Sequence, residues 1–192
     1  MRLKPIEKPR GILVRLAYAH CRRVFGRVIT PAKVVYARVP SIVPVYRQIS
    51  RFMTKKVSLD PALLLLIQGY TAGHNKCGFC IDITRSFASH DPVLMEKMWR
   101  VNDFATDPLF SEQERAGLAY VAAITRDRAV SDDTFDTLKK HYSDTEIVEI
   151  TLVNAIEHFY NLVNVPLGIE SDGLCALSPA TIGNDVLRKA AG

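Results

Sequence analysis

Apolar residues recur along this chain at intervals of three and four, the spacing that gives a helix one buried face. Residues 11–26 place Ile12, Leu16, Ala19 and Val24 on such a face, with Arg15, Arg22 and Arg23 between them. Pro31, Pro40 and Pro44 punctuate the next stretch, so 28–44 is expected to be loop with short turns, and 45–55 another helix. Asp60 before Pro61 reads as an N-cap with proline in the first helical position. The run ALLLLIQGY is apolar on every side, as expected of a helix at the centre of a bundle or interface. Gly73 and Asn75 break it. From about Cys77 a further helix should run to Ser89, carrying Ile81, Ile83, Phe87 and Ala88, before Asp91-Pro92 starts the next.

The second half is marked by caps. Ser111 and Glu114 make a capping box ahead of RAGLAYVAAITR, and Ser131 or Asp132 caps TFDTLKKHY. Asp144 or Thr145 is expected to open the long segment EIVEITLVNAIEHFYNLVNV. Residues 166–192, with Gly168, Gly173, Pro179 and Gly183, read as irregular. Strand signals are nearly absent and nothing repeats. The expected fold is all-α, a helical bundle forming a single domain over residues 1–192.

Composition adds limits. With 48% hydrophobic and 23% charged residues, the chain of 192 residues can bury a substantial core. No apolar run approaches the roughly 18 residues of a membrane span, so no transmembrane segment is expected. The N-terminus lacks a continuous apolar signal region, which points to a cytoplasmic protein. The net charge of +5 hides an asymmetry: fourteen of the 25 Lys and Arg lie within residues 1–60, against only Glu7 and Asp60. This basic arm, about residues 1–56, could dock on the acidic remainder, bind an anionic partner or serve targeting. It is spread out and interleaved with Val, Ile and Tyr, which favours docking and makes nucleic acid an unexpected partner.

The chemistry concentrates in 74-HNKCGFCIDIT-84. Cys77 and Cys80 stand at the start of a predicted helix, where unpaired N–H groups and the helix dipole favour a thiolate. Three residues of separation bring the two sulfurs onto one face, within reach of a disulfide. Lys76 and His74 add positive charge. Zinc is a rival reading, with His74, Cys77, Cys80 and His90 as ligands. However, His90 would lie about 15 Å from Cys80 along one helix at ~1.5 Å per residue, and no second knuckle exists. A plain buried pair is the third reading, while Cys21 and Cys175 read as packing residues. The spacing favours redox chemistry without a metal or organic cofactor.

The buried helix leading into C-x-x-C and then I-D-I resembles the carboxymuconolactone decarboxylase and alkylhydroperoxidase D superfamily. The similarity extends to SEQERAGLAYVAAIT, to VSDDTFDTLKKHYSDTEIVEIT and to AIEHFYNLVNVPLGIESDG, roughly residues 11–174. It implies a helical bundle that forms homo-oligomers (trimer, hexamer or dimer) through its apolar helices, which suits the run at 62–67. It also implies peroxidase activity. Cys80 would attack a small-molecule peroxide, Cys77 would resolve the sulfenic acid, and a dithiol reductant protein or small thiol would restore the pair.

Two positions depart from that pattern. The family's peroxidases have a His four residues after the second cysteine, where this chain has Thr84, and a Glu twelve before the first, where it has Leu65. A threonine hydroxyl can donate to a thiolate but cannot act as a base near neutral pH. His74 could fold back onto Cys77. Alternatively, Asn154, Glu157 or His158, and Asn161 follow helical spacing and form a polar stripe. That stripe is either a solvated face or the lining of a cavity in which Glu157 or His158 moves the proton. A non-catalytic redox-sensing or binding protein is the alternative from another class. Lactone decarboxylation is a third, for which no constellation assembles.

Overall fold

The structure, a computed structural model, describes residues 1–176; part of the irregular segment expected over 166–192 therefore lies outside the described residues, as does the end of the 1–192 domain. Among the described residues eight α-helices come in the order α1 Ile12–Phe25, α2 Val43–Lys55, α3 Pro61–His74, α4 Gly78–Ala88, α5 Pro92–Trp99, α6 Glu112–Asp127, α7 Asp132–Lys139 and α8 Asp144–Asn164. Among the described residues there is no strand, so the fold is all-α. The stretch 28–44 is more ordered than its prolines suggest, holding a π-helical turn at Ala32–Tyr36 and a 3₁₀ turn at Pro40–Ile42.

Caps set the helix starts. Asp60 accepts from the N–H groups of Ala62 and Leu63, and Asp91 from those of Val93 and Leu94. The box at Ser111 and Glu114 closes in both directions. The start of α8 differs from the sequence reading. Ser143, not Asp144 or Thr145, is its N-cap, with Glu146 reaching back to the Ser143 N–H at 2.8 Å. All three residues can cap, and the extended backbone of Ser143 (φ −68°, ψ 162°) decides between them.

The hydrophobic interior has two parts. In the larger, α3 packs against α4, α6 and α8, which is why its sequence is apolar on every side. Leu63, Leu66 and Ile67 are buried there within the chain's own core, so the apolar run is an internal helix of the monomer. Gly69 lets α5 approach: a Cβ at this position would meet Met98 Cε at 2.5 Å.

The smaller part is built from α1, the turns after it, α4 and two residues near the C-terminus, Ile169 and Leu174. The face of α1 expected to be buried is mostly outside: Ile12 and Leu16 are 77% and 63% exposed, and Ala19 is exposed. Val14, Tyr18, Cys21, Val24 and Phe25 turn inward instead and the arginines outward, because two apolar stripes share one period and packing selects between them. Gly26 ends the helix in the left-handed conformation that glycine adopts without strain (φ 69°). Polar contacts fasten the arm: Tyr18 to the Ile6 carbonyl, Lys33 to Glu7 and Arg38 to the Lys4 carbonyl. The basic arm thus supplies one wall of the second cluster. Cys21 is a buried member of it, as a packing residue would be.

Candidate functional site

Cys77 and Cys80 lie inside this second cluster, 0% and 3% exposed, joined as a disulfide with their Cα atoms 5.2 Å apart. The local sequence explains their place. Asn75 caps the end of α3, Lys76 takes a left-handed conformation (φ 55°), and the chain turns straight into α4 with Cys77 as its N-cap. The Cys77 sulfur accepts from the Cys80 N–H at 3.4 Å, so the helix terminus does face a cysteine sulfur. The Cys80 sulfur accepts from Asn164 Nδ2 at 3.4 Å.

Thr84, where a base was sought, is buried and donates its hydroxyl to the Cys80 carbonyl at 2.8 Å, the usual back-bond of a helical threonine. Its proton is therefore committed to the backbone. His74 ends α3 with its side chain exposed, and its charge bears on His158. Among the described residues no group of three His, Cys, Asp or Glu side chains could hold a metal ion.

The polar stripe of α8 faces inward. Asn154, Glu157, His158 and Asn161 are all buried, and Asn164 continues the row to the Cys80 sulfur. Asn154 Nδ2 donates to the hydroxyls of Thr71 and Thr125, tying α8 to α3 and α6. Glu157 receives Gln68 Nε2 at 3.3 Å and lies 2.6 Å from Asn161. Burial raises its pKa to about 7, opposed by those two contacts. His158 stands between Asn75 (2.9 Å) and Arg128 (3.1 Å), and desolvation, Arg128 and then His74 push its pKa down. Gln68, Asn75, Arg128 and Asn164 were not singled out in the sequence. Asn164 could have been, since it lies three residues beyond Asn161 on the same face.

A strap closes the site. Residues Ile169–Cys175 cross the start of α4, where a Cβ on Gly78 would stand 3.7 Å from Ser171 N. Buried Asp82 accepts from the N–H groups of Leu174 and Cys175, both at 2.9 Å. Asp172 takes the Thr30 N–H and hydroxyl, and Arg27 donates to the Asp172 carbonyl. A separate open groove of about 690 Å³ along α1 is lined by Lys8, Arg15 and Arg22 among others and includes none of these residues.

No family model matches the chain. It is 30% identical over 179 residues to the uncharacterized protein YnjA of Escherichia coli (strain K12), spanning 92% of this chain and 97% of that one. A crystal structure of a protein of unknown function from Agrobacterium tumefaciens, with a proposed AhpD antioxidant-defence role, is similar at 27% identity. It covers 72% of this chain and 96% of its own, with a TM-score of 0.66. The chain belongs to the alkylhydroperoxidase D-like family. A likeness of fold extends over the basic arm as well. A cysteine-to-alanine variant of the debrominase Bmp8, in complex with 2,3,4-tribromopyrrole, matches at 18% identity and a TM-score of 0.77 over 97% of both chains.

Proposed function

We propose that this protein is a thiol-dependent peroxidase whose dithiol is Cys77 and Cys80. The observation that carries the reading is a cysteine pair oxidised in place, with a side-chain donor on the second sulfur and a helix terminus on the first. In the reduced form, the Cys80 thiolate attacks one oxygen of a peroxide, ROOH, and the O–O bond breaks. Cys80 becomes a sulfenic acid, and the departing alkoxide takes a proton to leave as ROH. Cys77 then attacks the sulfenic sulfur, releasing water and forming the disulfide. A dithiol reductant returns two electrons and two protons. Asn164 holds the Cys80 thiolate, and Glu157 or His158 supplies the proton that the alkoxide needs, in place of a base at position 84. His74 would add positive potential at the mouth of the site. Such a cycle suits a reducing cytoplasmic setting and uses no metal or organic cofactor.

The test is peroxide consumption with a dithiol reductant, comparing the parent protein with Cys80→Ser and Cys77→Ser. Loss of turnover in both supports the reading; turnover unaffected by Cys80→Ser ends it. The depth of the sulfurs favours one second reading, a redox sensor that is oxidised once and does not cycle. A single stoichiometric turnover, unchanged by excess reductant, would select it. Assaying 2,3,4-tribromopyrrole in parallel separates peroxide reduction from reductive debromination.

A further inference from the structure

A row of hydrogen-bonded side chains runs from the interior to the surface: Gln68, Glu157, Asn161, Asn75, His158 and Arg128. Its direction can be worked out from the surface inward. Arg128 Nη1 stands 3.1 Å from His158 Nε2, and a guanidinium only donates. A neutral imidazole accepts at one nitrogen and donates at the other, so Nε2 is the acceptor and Nδ1 carries the proton.

The Asn75 atom 2.9 Å from Nδ1 must then be its carbonyl oxygen. That same atom lies 2.8 Å from the terminal atom of Asn161, which must be the amide nitrogen. The other end of Asn161, now its oxygen, stands 2.6 Å from Glu157 Oε1. Two oxygens at that distance share a proton, and only Glu157 can bring it. Carboxamide oxygen and nitrogen have nearly the same shape, so this assignment moves no heavy atom. The last distance agrees: 2.6 Å is short for N–H···O, at ~2.7–3.2 Å, and ordinary for O–H···O, at ~2.5–3.0 Å.

We propose that Glu157 is held as a neutral acid donating to Asn161, and that losing its proton reverses the row and expels Arg128 from His158. Once Glu157 is a carboxylate it accepts from Asn161 Nδ2, and Asn161 Oδ1 accepts from Asn75 Nδ2. Asn75 then donates to His158 Nδ1, so the imidazole proton moves to Nε2 by exchange with water, and the Glu157 proton goes to solvent. Nε2–H now meets the N–H of Arg128 head-on. Arg128 is exposed at the end of α6 and free to turn into water.

The groups that bear on this equilibrium are few. Gln68 from α3, Asn161 and the Tyr160 phenol surround Glu157, whose burial favours the neutral acid. Asn75, Arg128 and His74 bear on His158, where desolvation and then the Arg128 charge favour the neutral ring. The outcome is a surface cation that reports whether a buried carboxyl holds its proton. It goes beyond the peroxidase reading and holds for any substrate.

The test is the tautomer of His158, read by long-range ¹H–¹⁵N correlation on histidine-labelled protein and assigned with His158→Gln. Below the pH at which Glu157 ionises, which its burial raises above the ordinary carboxyl range, the neutral imidazole is expected to carry its proton on Nδ1, and above it on Nε2. Glu157→Gln should hold Nδ1–H at every pH at which the imidazole is neutral, because its carboxamide donates to Asn161 as the acid does. An Nε2–H tautomer in the parent at pH about 5.5, or an unchanged switch in Glu157→Gln, overturns the proposal. Should that variant fail to fold, infrared difference spectra of the parent decide. A protonated-carboxyl band that bleaches with the tautomer's midpoint supports the row, and its absence at acid pH overturns it. Neither readout depends on peroxide turnover, so failure here and failure of the peroxidase reading are separate results.

Discussion

The two faces of α8 differ in an unusual way. Beside the core residues Ile147, Ile150 and Val153, the inner face carries Glu149, Asn154, Glu157, His158, Asn161 and Asn164, all buried. The outer face exposes Val148, Leu152, Ala155, Phe159 and Leu162. Buried polar groups cost free energy unless they are satisfied, and here each has partners: Glu149 takes both the N–H and hydroxyl of Ser58, and Asn154 two threonines. The polar face is therefore held in one arrangement by directional bonds. The outer face alternates four and three residues along the helix. The lesson is that α8 is fixed by directional polar contacts on one side and leaves an apolar stripe exposed on the other.

The contrast can be broken from the inside first. Glu157, with its pKa raised to about 7 against an ordinary value of 4.5, weakens the fold as pH rises between those values, because the unfolded chain has already ionised. Glu157→Gln should abolish that loss. Relative to the parent it gains up to about 3 kcal/mol between pH 5 and 8, measured by urea unfolding at each pH. Next, Asn154→Ala leaves Thr71 and Thr125 without their shared donor and should cost about 1–3 kcal/mol in the same measurement. Asp82→Ala removes the acceptor of two strap N–H groups. Reduction of the disulfide by dithiothreitol should then quicken roughly tenfold, as about 1.4 kcal/mol of lost closure would give. The smallest effect on the fold belongs to the outer face. Leu162→Ser, at a residue 70% exposed, should change stability by no more than about 0.5 kcal/mol in the same urea measurement.

Much of this was legible in the chain itself. Caps and periodicity gave α3 to α7 closely, because Asp60, Asp91, Ser111 and Ser131 each have a proline or an acidic first turn behind them. The dithiol was legible from its spacing. Which way α8 turns was not, since its polar and apolar stripes have the same period and only tertiary packing decides which is buried. The departure at Thr84 was visible, but not its outcome: back-bonding to Cys80 is invisible without the turn that makes it. Gln68 and Asn75 belong to α3 and its cap and Arg128 to the end of α6, so no local spacing could have joined them to Glu157 or His158 on α8.

Residues near the N-terminus and the segment 167–175 meet beside the sulfurs. The Arg2 N–H bonds the Leu167 carbonyl, α1 supplies one wall, and residues 169–175 supply another. Synthesis runs from the N-terminus, so the dithiol of α4 is made nearly a hundred residues before the segment that covers it. The cysteine pair therefore leaves the ribosome before its cover does, and reaches its buried setting only when residues 167–175 fold back across α4.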